Sequence, residues 1–125
     1  MDTMNNQDLG RYGEALAEAH LIAKGYAILA KNFKNKIGEI DIVAKDKGVI
    51  CFVEVKSRVS LNCGKPYESV HYFKQKKMAR VAQSYLIYRF GSPDVMARFD
   101  VISIYKDETG EMHIEHILDA FFVNS

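Results

Sequence analysis

The sequence predicts a single α/β domain in which one mixed β-sheet carries helices, with the elements in the order αβββαββ. Three observations lead there. Two stretches repeat apolar residues at helical spacing, five short stretches alternate or run apolar as strands do, and turn-forming residues join two pairs of strands. With 125 residues, 48% of them hydrophobic, the chain has the size of one compact domain, taken as residues 1–125 with 1–6 expected to be disordered.

From Gln7 to Lys24 the residues Leu9, Tyr12, Leu16, Ala19 and Ala23 recur at helical spacing, and Gly25 is placed to cap the end. Residues 26–30 read as a short strand. Residues 37–44 and 49–56 read as two more strands, joined by the polar turn Lys45-Asp46-Lys47-Gly48, so a hairpin is expected. The segment 57–68 holds the turn formers Gly64 and Pro66. Val70, Phe73, Met78, Val81, Ala82, Tyr85 and Leu86 then mark a long amphipathic helix, which Gly91-Ser92-Pro93 ends. Residues 97–106 and 111–118 alternate as strands around the turn 107–110 and form a second hairpin.

No apolar run approaches the roughly 20 residues that a membrane span requires, and the first residues lack the basic-then-apolar pattern of a secretory signal, so a cytoplasmic protein with no membrane partner is expected. Cys51 and Cys63 stand outside any CxxC arrangement and read as buried or incidental thiols. The net charge of +1 conceals a polarised chain: residues 1–23 carry −3, 24–89 carry +9 and 90–125 carry −5. Gathered on one face, the middle segment would attract a polyanion; mixed in space, it would be an ordinary solvated surface.

The chemistry centres on the third strand. Side chains on a strand alternate faces, so Ile50, Phe52, Glu54 and Lys56 lie together while Val49, Cys51, Val53 and Val55 point the other way. A strand apolar on both faces belongs inside a sheet, yet one of its faces ends in a carboxylate and an ammonium. Burying such a pair costs several kcal/mol unless partners are at hand. Asp41 interrupts the apolar run of the neighbouring strand, and hairpin pairing can bring it beside Glu54. Two converging carboxylates repel, and a divalent cation relieves the repulsion by taking oxygens from both. Mg²⁺ or Mn²⁺ suits phosphodiester hydrolysis, with few protein carboxylates and several waters retained, and Lys56 adds a charge that orients water or meets the developing phosphate charge. A lone ExK triplet is expected about 0.4 times by chance in a chain of this length. The added weight comes from Asp41, twelve intervening residues, and then Glu54-Val55-Lys56 inside an apolar strand. The same residues also fit a structural salt-bridge cluster at a strand end.

Gly38-Glu39-Ile40-Asp41 with Phe52-Val53-Glu54-Val55-Lys56-Ser57-Arg58 resembles the signature of the YraN-like family, bacterial proteins regarded as endonucleases of the PD-(D/E)xK superfamily and similar to archaeal Holliday-junction resolvases. Gly10-Arg11-Tyr12-Gly13-Glu14, Gly25-Tyr26, Asn32-Phe33, Lys74 with Lys77, and Arg98-Phe99-Asp100-Val101 extend the resemblance over most of residues 10–122. It implies a restriction-endonuclease-like fold and metal-dependent cleavage of DNA. It also implies that Asp41 and Glu54 hold Mg²⁺ or Mn²⁺, that Lys56 is the catalytic lysine, and that Glu14 reaches the site from the first helix as a further ligand or water holder. Glu39 shares a strand face with Asp41 and is either another ligand or a solvated residue.

Lys74, Gln75, Lys76, Lys77 and Arg80 lie within two turns of the second long helix and are candidates for contact with the phosphate backbone, or else form the wet side of a packed helix; Arg58, two beyond Lys56, is a further candidate, or else an exposed arginine after a strand. The absence of a base-reading module makes branched or single-stranded DNA a better fit than plain duplex. The rival functional class is a module that binds nucleic acid in a repair or uptake complex without cutting it. Association as a homodimer is left open. His20, His71, His113 and His116 read as structural or surface residues, because 113 and 116 face opposite sides of one strand.

Overall fold

A computed structural model describes residues 6–58 and 72–121, with side chains from Gly10 and up to Ala120. The expected disorder of residues 1–5, and the readings made for Cys63, Val70, His71 and the turn formers around them, lie outside the described residues. Those described form two helices, α1 (Asn6–Ala23) and α2 (Tyr72–Phe90), and five strands, β1 (Ala27–Lys34), β2 (Glu39–Asp46), β3 (Val49–Arg58), β4 (Ala97–Lys106) and β5 (Met112–Phe121). The order αβββαββ is as the sequence predicts. Asn6, expected to be disordered, is the first residue of α1.

The strands lie in sequence order in one sheet. Three of the pairings are antiparallel, and β3 with β4 is parallel. A parallel neighbour requires a crossover, which the segment carrying α2 supplies. The helices cover opposite faces. Ala17 and Leu21 of α1 pack with Ile42, Ala44, Cys51, Val53 and Ile102. Val81, Ala82, Tyr85 and Leu86 of α2 pack with Ile40, Val43, Ile50 and Phe52. So β3 alternates Ile50 and Phe52 toward α2 with Cys51 and Val53 toward α1, all four buried, and each large one contributes roughly 1.5–3 kcal/mol on leaving water. The Cys51 thiol, pushed up to about 11 by burial, is a core residue.

Local signals account for most boundaries. Gly25 takes φ +91°, while the amides of Gly25 and Tyr26 donate to the carbonyls of Ile22 and Leu21, a Schellman ending for α1. The β2–β3 turn is shorter than expected. Lys47 (φ 49°) and Gly48 (φ 85°) form it alone, Asp46 pairs with Val49, and β2 therefore runs two residues past Ala44. β1 extends to Lys34 rather than ending at Ala30. A register shift between Ile28 and Ala30 and the positive φ of Asn32 let a polar segment follow the sheet edge, where charged residues are tolerated. Phe73, expected on the apolar stripe, is 78% exposed, because the buried residues of α2 begin at Met78.

The family-like segment Arg98–Val101 has a packing role. Asp100, fully buried, accepts from Arg98 Nε at 3.0 Å and from the Asp119 amide at 2.9 Å, with His116 Nε2 at 2.9 Å. Burial alone would raise this carboxyl; the hydrogen bonds from His116, Asp119 and Arg98 outweigh it and hold Asp100 below the usual range. The network pins the register shift of β5, where Asp119 has φ 53°. His116 is thus structural, as expected, and His20 packs edge-on against it at 5.4 Å. Asp100→Ala is expected to cost about 3–5 kcal/mol, since it leaves Arg98 without its main buried partner, and a urea melt measures it. A loss under 1 kcal/mol would remove this network as the anchor of β5.

Candidate active site

The ladder between β2 and β3 runs from Asp46–Val49 to Ile42–Val53 and stops there. One step further in the same register, Asp41 faces Glu54. Beyond that point β2 stays with β1, through Phe33–Ile40 and Lys34–Glu39, while β3 stays with β4 as far as Arg58–Tyr105. The chain bends at Asp41: Ile40 lies in the core under α2 although Ile42, two residues on, lies in the core under α1. Regular alternation would put both on one face. The sheet therefore parts at Asp41 and Glu54, and the freed amide of Val55 donates to Asp41 Oδ2 at 2.8 Å.

The carboxylates of Asp41 and Glu54 line one pocket of about 260 Å³, together with Glu39, Lys74, Lys77 and Met78. Glu54 is 5% exposed. Its Oε1 lies 3.3 Å from Lys56 Nζ and is also paired with Lys74 Nζ. Burial, then the Glu54 charge, pushes the Asp41 carboxyl up to about 7, against the lowering effect of the Val55 amide. Burial and the neighbouring Lys74 ammonium pull Lys56 below the usual lysine range despite Glu54. For Lys74 burial works downward too, but its hydrogen bonds to Glu54 and Lys56 outweigh this and raise it.

The structure thus brings together Asp41, Glu54 and Lys56 as the sequence predicts. Glu39 is exposed and lines the same pocket. Glu14, half-buried on α1, opens instead onto a neighbouring pocket of about 220 Å³ with Arg11, Glu18 and Lys31. Burial and the charges of Glu39 and Glu54 nevertheless raise its carboxyl, so it feels the site without lining it. Close packing holds it there: a Cβ on Gly13 would lie 1.9 Å from Ser57 Oγ at the end of β3.

Two of the residues assigned to the phosphate backbone are placed differently from the expectation. Lys74 is bound to Glu54 inside the site. The signal for this was its spacing: Lys74, Met78 and Val81 share one helix face, so the lysine sits on the buried stripe. Arg58 is the half-buried last residue of β3, with Nη2 donating to Ser103 Oγ at 3.4 Å. Lys76, Lys77 and Arg80 are exposed on α2, and Gln75 is half-buried.

Among the described residues, the acid and imidazole groups that bring three ligand atoms within 4.8 Å of one another are Asp107, Glu111 and His113 at the β4–β5 turn, not Glu14, Asp41 and Glu54. In that turn Asp107 accepts from the Thr109 and Glu111 amides and pairs with His113 Nε2 at 2.6 Å, a set of bonds that fixes the turn. The donor chemistry at Asp41 and Glu54 still suits a hard divalent cation: two adjacent carboxylates, of which Asp41 is pushed up first by burial and then by the Glu54 charge.

A family model described as uncharacterised protein family UPF0102 matches residues 13–104. The chain belongs to the UPF0102 family. It is 45% identical over 120 residues to a UPF0102 protein of Clostridium beijerinckii, covering 95% of this chain and 97% of that one. A UPF0102 protein of Clostridioides difficile is 48% identical over 118 residues, covering 94% of this chain and all of its own. The YraN-like resemblance read in the sequence is to this family. The matched UPF0102 region holds Glu14, Asp41, Glu54, Lys56 and the whole of α2. Pyrococcus furiosus SfsA, solved in complex with Ca²⁺, aligns at a TM-score of 0.41 and 12% identity over 91% of this chain and 64% of that one, a likeness too distant to carry an argument. Among the described residues no helix is long and apolar enough to cross a membrane.

Proposed function

We propose that this UPF0102 protein is a metal-dependent endonuclease of restriction-endonuclease-like fold that hydrolyses DNA phosphodiester bonds, selecting its substrate by structure rather than by base sequence. The observation that carries the reading is the meeting of Asp41 and Glu54 where β2 and β3 part, with Lys56 beside Glu54 on a strand otherwise buried on both faces. A salt-bridge cluster of Asp41, Glu54, Lys56 and Lys74 would balance its charges, but it gives no reason for both lysines to meet Glu54 while the Asp41 carboxyl lies against Glu54 and is pushed up to about 7.

Asp41 and Glu54 would hold the cation, Mg²⁺ or Mn²⁺, with Glu14 as a further ligand or water holder. When bound, the cation supplies a water acidic enough to attack and a charge opposite the phosphate. Lys56, with its lowered pKa, orients that water or balances the charge that grows on the phosphate oxygens. Lys74 pairs with Glu54 and holds its carboxylate in the pocket. The exposed Lys76, Lys77 and Arg80 meet the backbone.

A second reading has its own support. The closed group of Lys56 and Lys74 on one oxygen of Glu54 is a self-sufficient ion cluster, as a non-cleaving nucleic-acid-binding module would have. A cleavage assay decides between them, using branched, flapped, single-stranded and duplex DNA with Mg²⁺ or Mn²⁺ and the Glu54→Gln protein as the contamination control. Nicking by the wild type alone supports the nuclease; binding with no cleavage of any substrate supports the module. In either case affinity for DNA should fall steeply with salt. Replacing Lys77 and Arg80 by Ala should reduce the slope of log K against log salt by slightly less than two, measured by fluorescence anisotropy. An unchanged slope would make this side of α2 plain solvent-facing surface.

A further inference from the structure

The flank of α2 away from Glu54 borders a second and larger cavity, of about 450 Å³, within the range of about 300–1,000 Å³ usual for small-molecule sites. Its buried wall includes Phe52, Leu86 and the half-buried Phe99, and its exposed wall includes Lys76, Arg80 and Gln83. No carboxylate lines it among the described residues; Asp94 is nearby in sequence, its amide bonded to Ser92 Oγ. One turn before Lys76, Tyr72 is 61% exposed, with the Lys76 ammonium 4.9 Å over its ring. Tyr72, Lys76 and Arg80 follow at four-residue spacing, so an aromatic ring and two cations share a face. That is the make-up of a platform for unpaired nucleotides, with rings and apolar surface for bases and cations for phosphates.

We infer that this cavity receives a single unpaired nucleobase of the nucleic acid whose backbone crosses α2 between the two pockets. The inference rests on the nucleic-acid reading above and specifies its substrate as DNA with an unpaired nucleotide. Lys74, Lys77 and Met78 line the pocket of Asp41 and Glu54, while Lys76, Arg80 and Gln83 line this one, so a backbone bridging them crosses the ~10 Å width of one helix. Lys77, Arg80 and Lys76 are exposed across that width. The base lies against Phe99 and Leu86, with the Gln83 amide in reach of its edge. Fully paired duplex cannot present a base in this way without the cost of unstacking it. A second copy of this chain, with Glu108, Glu111 and Glu115 exposed, is the other candidate occupant, and sedimentation tests it.

Three fluorescein-labelled duplexes decide it: fully paired, with a one-nucleotide bulge, and with an abasic bulge, each titrated with the full chain at low salt in the presence of a chelator. The bulged duplex should bind about tenfold more tightly than the other two, the worth of one stacked base. Ala97→Phe, at an exposed position lining the cavity, should abolish that preference and leave binding to paired duplex unchanged; Gln83→Ala should reduce it severalfold. Melting curves check that both variants fold, and the bulge-against-abasic ratio on the wild type stands without them. Equal affinity for all three duplexes overturns the inference but leaves the nucleic-acid reading intact. Binding to none of them overturns both. A dimer in sedimentation that Ala97→Phe dissolves gives the cavity to a second copy and also overturns it.

Discussion

Glu54→Gln is expected to abolish cleavage and weaken Mn²⁺ binding together, whereas Lys56→Met should abolish cleavage and leave Mn²⁺ binding equal or tighter. The difference follows from what each side chain does to charge. Glu54→Gln removes a ligand charge, and it also leaves Lys56 and Lys74 without the oxygen they share. Lys56→Met keeps most of the bulk and removes a positive charge beside the cation, so repulsion falls. Cleavage should still drop by about a hundredfold or more, the usual loss when one preorganised group facing developing charge is removed. Lys74 makes the test sharper. Because it pairs with the same Glu54 oxygen, a cation must compete with it, and Lys74→Met should raise Mn²⁺ affinity even if DNA binding suffers. A purely structural cluster gives another pattern, in which Glu54→Gln and Lys56→Met lose similar melting temperature and calorimetry detects no Mn²⁺ in any of the proteins. If wild-type chain binds no divalent ion at millimolar concentration with DNA present, the nuclease reading ends and the binding module replaces it.

Much of this site could be read in the sequence because strand periodicity is a strong constraint. Once residues 49–56 are a strand, Glu54 and Lys56 must share a face, but Asp41 comes opposite Glu54 only because the turn is the two residues 47–48 rather than the four read in the sequence. Other features depend on tertiary balance. The register says that Asp41 and Glu54 are neighbours but not that the ladder stops one residue short of them; that depends on Ile40 packing under Val81 and its neighbours on α2. That Lys74 reaches Glu54 was missed for a related reason. Within a run of four cations and one glutamine, helical spacing alone separates the lysine on the buried stripe from those in water, and charge outweighed spacing. Phe73 is the converse case, an apolar residue at the right spacing but beyond the reach of the sheet. Glu14 shows where pattern reasoning ends: its helix and its face were legible, but whether it lines the pocket of Asp41 or the adjoining one depends on how closely Gly13 lets α1 approach Ser57.

Divalent-ion affinity should rise steeply with pH and level off near pH 7, with Asp41 as the controlling group. Its carboxyl, pushed up to about 7 by burial and by Glu54, holds a proton that a cation must displace. Below that value, Mn²⁺ affinity should therefore gain about tenfold per pH unit, and the gain should vanish in Asp41→Asn, which has no proton to lose. The same shift fixes the sign of the stability effect without metal. Because the folded-state value lies above the ordinary one, the folded protein holds a proton that the unfolded chain releases. This favours folding fully below the ordinary carboxylate range, and the advantage is lost as pH rises through about 7. Asp41→Asn can still accept from the Val55 amide through its side-chain oxygen. It should melt close to the wild type below about pH 4 and increasingly above it up to pH 8, the burial and repulsion that raise Asp41 being worth at most about 4 kcal/mol. Adding Mn²⁺ at pH 8 should close the gap by stabilising the wild type alone. Were Asp41→Asn instead less stable than the wild type by the same amount at every pH, Asp41 would be a plain structural acceptor for Val55, and two carboxylates waiting for a cation would no longer describe this cleft.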